Sequence, residues 1–359
     1  MTKDLLSLAE SKALRGIAIL GIVLHNYCHF LGFAVKENEY TFHADKPMQL
    51  WDKCLALDKD FFVHLLSFFG HYGVPVFLFI SGFGLVAKYE KGGAEEVPTV
   101  AFVRYHFLKL FRLMFIGYGV FVAVYFMRAN DGWEVYAWDK VLAQLTMTAN
   151  IVFAEPNRII KPGPYWYFGL MLQLYIVYRL LFYRHRTPGV LLAMMAGCWM
   201  LQVAATVWNP FETDLLNYLR YNFVGGILPF GLGILYARHA RMQGKTFHTL
   251  MAAVSAVAVF AGSFTLHTWF WVPLFVTTGA VAIVKLLPQG VLSACAWMGG
   301  VSSALFVMHP VMREVIIGHY RRFDIYTGIA VYLLAAVSLS LLLQHVLKFV
   351  PGPQLKKNR

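Results

Sequence analysis

Two imidazoles and a guanidinium sit in the first apolar stretch of the chain, Ala13-Leu-Arg-Gly-Ile-Ala-Ile-Leu-Gly-Ile-Val-Leu-His-Asn-Tyr-Cys-His-Phe30. Arg15 stands at its start, His25 in its middle and His29 one helical turn further on. An ionisable side chain at membrane depth is costly and marks a site by default. Neutral imidazole gives or takes a proton near neutral pH, as a general base must. On one helix Arg15 and His25 lie roughly 15 Å apart along the axis and about 80° apart in direction, so they do not hydrogen-bond each other. A long substrate can touch both. The plainer readings are an interfacial anchor for Arg15 and a carbonyl-satisfied buried imidazole for His25.

Other segments carry similar candidates. In Phe102–Leu113, His106, Lys109 and Arg112 recur at i+3 on one helical face, with Arg104 beside them. They are either snorkelling interfacial cations or a cradle for a polyanionic cytosolic cofactor, with arginine giving bidentate phosphate contacts. In Tyr72–Leu85, Pro75 is expected to kink the helix, and Ser81, Gly82 and Gly84 form a small-residue patch for close helix packing. Ser81 serves as a nucleophile only if a base lies within reach. Trp166 and Tyr167 open the next apolar run as belt aromatics. Gln173 and Tyr175 lie deeper, where the amide needs partners. Ser302 and His309 share a helical face two turns apart. His309 precedes Pro310, where a helix break is expected, and Arg313 follows at i+4.

The frame that positions these residues is membrane-like. Of 359 residues, 58% are hydrophobic and 14% charged, and the mean hydropathy of +0.57 excludes an ordinary soluble domain. The reading is an all-α, polytopic membrane helical bundle. Candidate spans are 13–34, 62–87, 104–127, 164–184, 189–208, 221–238, 248–264, 268–287, 293–317 and 326–350. The segment 141–154 is short and polar, and reads as a re-entrant or interfacial piece.

Loop charge sets the orientation. The net charge of +12 falls mostly between spans, as a topology signal rather than a nucleic-acid footprint. Lys3, Lys12 and Arg15 place the N-terminus inside, and about ten transmembrane helices then leave both termini cytoplasmic. That count also puts Lys88, Lys91, Arg104, Arg179, Arg184, Arg186, Arg238, Arg241 and Lys245 inside, and only Arg321 and Arg322 outside. Segments 35–61 and 128–163 become external loops, the first carrying Glu37, Glu39 and several further acids and lysines. Residues 351–359 become a cytoplasmic basic tail around Lys356, Lys357 and Arg359. One integral membrane domain fills 1–359. The four cysteines show no metal-ligand spacing, so neither a metal site nor a disulfide framework is expected.

The segments resemble those of the membrane acyltransferase-3 family. Gly16-Ile-Ala-Ile after Arg15, with His25, is similar to that family's opening helix. Gly73-Val-Pro-Val-Phe-Leu-Phe-Ile-Ser-Gly-Phe83 resembles its second-helix signature, and Phe102–Lys109 its third, basic stretch. Trp166-Tyr-Phe168 with Gln173-Leu-Tyr175 resembles its fourth-span pattern, and Ser302-Ser-Ala-Leu-Phe-Val-Met-His-Pro310 its late signature. The resemblance implies an O-acyltransferase of the cell envelope. Its acyl donor would be acetyl-CoA, as cosubstrate. Its acceptor would be a hydroxyl of a sugar, glycan or lipid-linked carbohydrate, and its setting the bilayer of a bacterial inner (plasma) membrane. It maps the family's essential arginine and histidine onto Arg15 and His25, with the spacing departing by one residue. His25 and His29 therefore both stand as catalytic candidates. Arg15, Arg104, Lys109 and Arg112 are expected at the coenzyme; Ser81, Trp166, Tyr167, Gln173, Tyr175, Ser302 and His309 are expected at the substrate pocket. The rival reading is a proton-coupled transporter or flippase. Against it, the chain has no internal repeat and no carboxylate relay within its spans.

Overall fold

The computed structural model describes residues 5–38, 40–91, 97–128, 133–185, 187–208, 214–320 and 324–355. Glu39, Arg186, Arg321, Arg322, Lys356, Lys357 and Arg359 lie outside the described residues. The chain is 81% helix, with no strand among the described residues. In chain order the helices are α1 (Leu8–Cys28), α2 (Asp45–Ala56), α3 (Phe61–Phe69), α4 (Gly73–Val86), α5 (Thr99–Arg128), α6 (Trp138–Leu145), α7 (Ala149–Val152), α8 (Pro156–Ile159) and α9 (Trp166–Val177). They continue as α10 (Gly189–Val207), α11 (Leu215–Tyr221), α12 (Phe223–His239), α13 (Lys245–Gly262), α14 (Leu266–Trp269), α15 (Val272–Leu286), α16 (Gln289–Tyr320) and α17 (Ile325–Leu347). Among the described residues, six helical segments are long and apolar enough to cross a membrane: Phe61–Lys91, Thr99–Arg128, Gly189–Val207, Lys245–Gly262, Gln289–His319 and Ile325–Leu347.

Contacts sort the loops into two ends of the bundle. At one end the Tyr236 hydroxyl donates to Leu5 O (3.5 Å) and Lys285 Nζ to Glu10 (2.9 Å). Here too Arg238 grips Glu90 through Nε (2.9 Å) and Nη2 (2.6 Å), Tyr178 donates to the same carboxylate (2.8 Å), and Arg112 donates to Val350 O (2.5 Å). At the other end Thr41 donates to Asp214 (2.7 Å), Trp269 Nε1 to Asn38 O (2.8 Å) and Tyr218 to Ile151 O (3.1 Å). The Tyr326 hydroxyl meets Lys59 O there as well. The segment 141–154 does not traverse this distance: α6 and α7 have only 8 and 4 residues, separated by a left-handed Met147 (φ 59°).

Close packing comes from glycines at two crossings. A Cβ on Gly16 would land on the carbonyl of Cys295 and one on Gly299 on that of Lys12, so α1 and α16 touch backbone to backbone. Gly82 likewise meets Phe230 O and Gly233 meets Phe79 O, joining α4 to α12. Both prolines behave otherwise than the sequence suggests. Pro75 falls in the first turn of α4, where its missing N–H has no partner to lose, because a 3-10 turn, Gly70–Tyr72, separates α4 from α3 just before it. Pro310 sits inside an unbroken α16, because packing within a bundle sustains a helix through one lost bond.

Helix α1 opens with a capping box. Ser7 Oγ accepts the Glu10 N–H (3.2 Å) and Glu10 Oε2 accepts the Ser7 N–H (2.7 Å). Burial alone would raise the Glu10 carboxyl, but the hydrogen bonds from Lys285 and Ser7 hold it below its ordinary range. A depressed carboxyl stabilises the fold above its unfolded-state value, and that contribution is lost as pH falls through the folded value. Glu10→Gln is therefore expected to melt below wild type at neutral pH, with the gap closing as pH drops below the usual carboxylate range. Thermal melts of detergent-solubilised protein across that range check this.

Candidate active site

The last turn of α1 carries His25 and Asn26, and His29 caps it. The structure thus places His25 at the end of its helix, three residues from Cys28, rather than mid-span. Beyond it the chain reverses through Gly32 (φ +48°), a left-handed position that glycine adopts without strain. The reversal brings Glu37 back over α1. From the other side, α3 and the Gly70–Tyr72 turn press against α1: a Cβ on Gly70 would strike Gly21 O and the His25 Cβ.

That approach sets the chemistry of His25. Its Nδ1 lies 2.7 Å from Ser67 O. A carbonyl only accepts, so Nδ1 donates and the neutral ring leaves Nε2 with a free lone pair. Nε2 sits 3.9 Å from Glu37 Oε1. His29 Nδ1 donates to Glu37 Oε2 at 2.8 Å, and Lys46 Nζ donates to Glu37 O at 2.8 Å. Burial pushes the Glu37 carboxyl up. The neighbouring His25 and the hydrogen bond from His29 outweigh it and hold the group well below the usual carboxylate range. A third imidazole, His71, lies 5.7 Å from His25 between ring centroids and is itself tied to Phe68 O (2.8 Å).

These groups line a cavity of about 740 Å³. It reaches the end of the bundle where Thr41 meets Asp214, both of which line it. Its wall includes an aromatic cluster: Tyr40 stacks on Tyr221 with ring centroids 3.9 Å apart, and Trp166 stands edge-on to Tyr40 at 5.4 Å. Arg313 lines the floor, its Nη1 donating to Asn26 Oδ1 (3.1 Å) and its guanidinium 3.9 Å from the Phe30 ring centroid. A general base with a fixed tautomer, a neighbouring carboxylate and a polar, aromatic-walled cavity suit proton transfer from a bound hydroxyl.

The family model for the acyltransferase domain of the membrane acyltransferase-3 family matches residues 8–345, nearly the whole chain. The chain belongs to the membrane acyltransferase-3 family. It is an integral membrane acyltransferase. Comparison with curated proteins and with solved structures finds no match.

In this acyltransferase, the expected site residues divide into three groups. His25, His29, Trp166 and Tyr167 line the cavity. Arg15 is exposed and lies away from it, where its charge reaches Tyr167, Tyr175 and Lys109. Tyr175 in turn packs on His106, with centroids 4.3 Å apart, and lies against Ser81, whose hydroxyl donates to Phe77 O (2.8 Å). The remaining residues are engaged elsewhere. Arg104 is exposed on α5. Arg112 binds Leu347 O and Val350 O, capping the end of α17 instead of facing Arg15. Ser302 donates to Gly299 O (2.8 Å). His309 is fully buried, with Nδ1 3.2 Å from Leu305 O.

Gln173 also has its amide consumed. Its Nε2 donates to Asn222 Oδ1 (2.8 Å) and its Oε1 accepts the Phe223 N–H (2.9 Å) at the start of α12. Sequence reasoning missed Glu37 and His71. Glu37 was one of several loop acids, and nothing local marks it as the one that folds inward. His71 carried a readable signal, an ionisable residue just ahead of the Gly73–Phe83 signature. Gln173→Leu is expected to leave the Phe223 N–H and the Asn222 Oδ1 without their partner, costing about 1–3 kcal/mol for each group left unsatisfied. A lowered melting temperature with an unchanged KM for acceptor would show this structural role.

Proposed function

We propose that this protein transfers an acyl group, acetyl in the first instance, from a cytosolic acyl-CoA to a hydroxyl of a carbohydrate acceptor, a glycan or lipid-linked sugar. The observation that carries the reading is the fixed tautomer of His25, whose free Nε2 lies at the acceptor-sized cavity. His25 Nε2 takes the acceptor hydroxyl proton as the oxygen attacks the thioester carbon. The Glu37 carboxylate stabilises the imidazolium that forms. The C–S bond then breaks and the departing CoA thiolate recovers the proton from His25. The stacked pair of Tyr40 and Tyr221, with Trp166 edge-on to both, supplies flat apolar faces of the kind that sugar rings pack against.

The donor side is the opposite end of α1. Arg15 and Lys109 together make an electropositive, exposed patch suited to coenzyme phosphates. Tyr167 belongs to both places, lining the acceptor cavity and lying within reach of Arg15. The two-ended contacts support ten crossings with both termini on one side. That side is the cytoplasm by its lysines and arginines, and a bacterial inner membrane is the proposed setting.

Proteoliposomes given radiolabelled acetyl-CoA and a carbohydrate acceptor test the proposal. Wild type is expected to label the acceptor, and His25→Ala to lower the rate by a factor of about 10²–10⁴. Full activity in folded His25→Ala would overturn the assignment of the base. Its loss in His29→Ala alone would move the base to His29.

A further inference from the structure

The His25–His29–Glu37 cluster has a property that proton transfer does not require. One ligand-capable atom from each of the three residues lies within 4.8 Å of the other two. Two imidazoles and one carboxylate are the donor set of a tetrahedral zinc site with one position open. The donors also have the outer support that such sites use. The other nitrogen of His25 donates to Ser67 O (2.7 Å), which orients the ring and raises the basicity of Nε2. The Glu37 oxygens stand between the two rings, 2.8 Å from His29 Nδ1 and 3.9 Å from His25 Nε2. Tetrahedral donors around zinc lie about 3.3 Å apart, given bonds of about 2.0–2.1 Å, so the cluster needs only small side-chain shifts to close on an ion.

The nearby cations do not block the position. Arg313 is turned to Asn26 and to the face of Phe30, and Lys46 engages the Glu37 backbone carbonyl rather than its carboxylate. The cysteines, which carried the expectation of no metal, take no part. The candidate ligands are histidines and an acid that only the folded loop brings together.

We propose that His25, His29 and Glu37 bind one zinc-class divalent cation, and that the bound ion switches the acyltransferase off. The ion takes the Nε2 lone pair of His25. It replaces the hydrogen bond between His29 and Glu37, and the neutral His29 ring shifts its proton from Nδ1 to Nε2. With its lone pair in a metal bond, His25 accepts no proton from an acceptor hydroxyl. Binding stands on geometry alone; the inhibitory consequence rests on the proposed role of His25.

Isothermal titration of the full-length protein in detergent with zinc chloride tests binding without any assay of acyl transfer. The expected result is one saturable site per chain, weakened at least ten-fold in Glu37→Gln and in His29→Gln. His43→Gln, which removes an imidazole from the cavity rim, is expected to bind like wild type. Cobalt(II) provides a second readout, since a tetrahedral nitrogen–oxygen site gives intense visible bands that the two weakened variants should lack. Melting curves of the metal-free variants confirm that they are folded. No saturable binding to wild type, or unchanged binding to folded Glu37→Gln, would overturn the site. Binding with undiminished acyl transfer would retain the site but overturn the switch and the assignment of His25 as base.

Discussion

The hydrogen bond from His25 to the Ser67 carbonyl is the contact on which the rest of the site depends. It decides which nitrogen of the ring is free, and it exists only because two backbones meet without side chains between them. Gly70 lies against Gly21 and against the first side-chain carbon of His25. Any larger residue at that crossing would push α3 away and take the carbonyl with it. The other end of α1 is held as firmly, through the capping box, the Lys285 ion pair and the Gly16–Gly299 contact. Helix α1 is thus a rod clamped at both ends, carrying Arg15 in its first half and His25 in its last turn.

A second clamp organises the helices around it. Glu90 receives two hydrogen bonds from Arg238 and one from Tyr178, while Arg238 also donates to Phe182 O and His185 O (2.7 and 2.8 Å). Three segments far apart in sequence are tied at one point, which is nearly buried on both sides of the pair. Breaking one partner of such a pair strands the other charge, at a cost of about 3–5 kcal/mol. The opposite end of the bundle has the looser construction of exposed loops and single hydrogen bonds, and the cavity reaches it.

Much of the frame was legible in the sequence, because apolar length is a strong signal. Six of the ten candidate spans coincide with helical segments long and apolar enough to cross a membrane among the described residues, and 141–154 breaks into short pieces as its polarity implies. What the pattern misjudged was local. Pro75 and Pro310 read as disruptions, yet one begins a helix and the other is absorbed within it. The site was half visible. His25 and His29 stood out because imidazole is rare at membrane depth. Glu37 did not, because its importance comes from the reversal at Gly32 and not from its neighbours in sequence. Arg112 and Gln173 looked functional for the reason that made them structural: each carries polar groups that must be satisfied, and each finds backbone partners at a helix end. Spacing alone does not distinguish a side chain that binds a ligand from one that binds its own fold.

Tyr167 has a consequence of a different kind. It lines the cavity that holds His25, and the charge of exposed Arg15, which does not line that cavity, also reaches it. On the proposed layout, this one aromatic side chain is therefore shared by the acceptor cavity and the coenzyme patch. On that layout the acyl group passes beside this ring on its way from coenzyme to acceptor. The volume of the side chain at position 167 is then a determinant of how large an acyl group can be handed across.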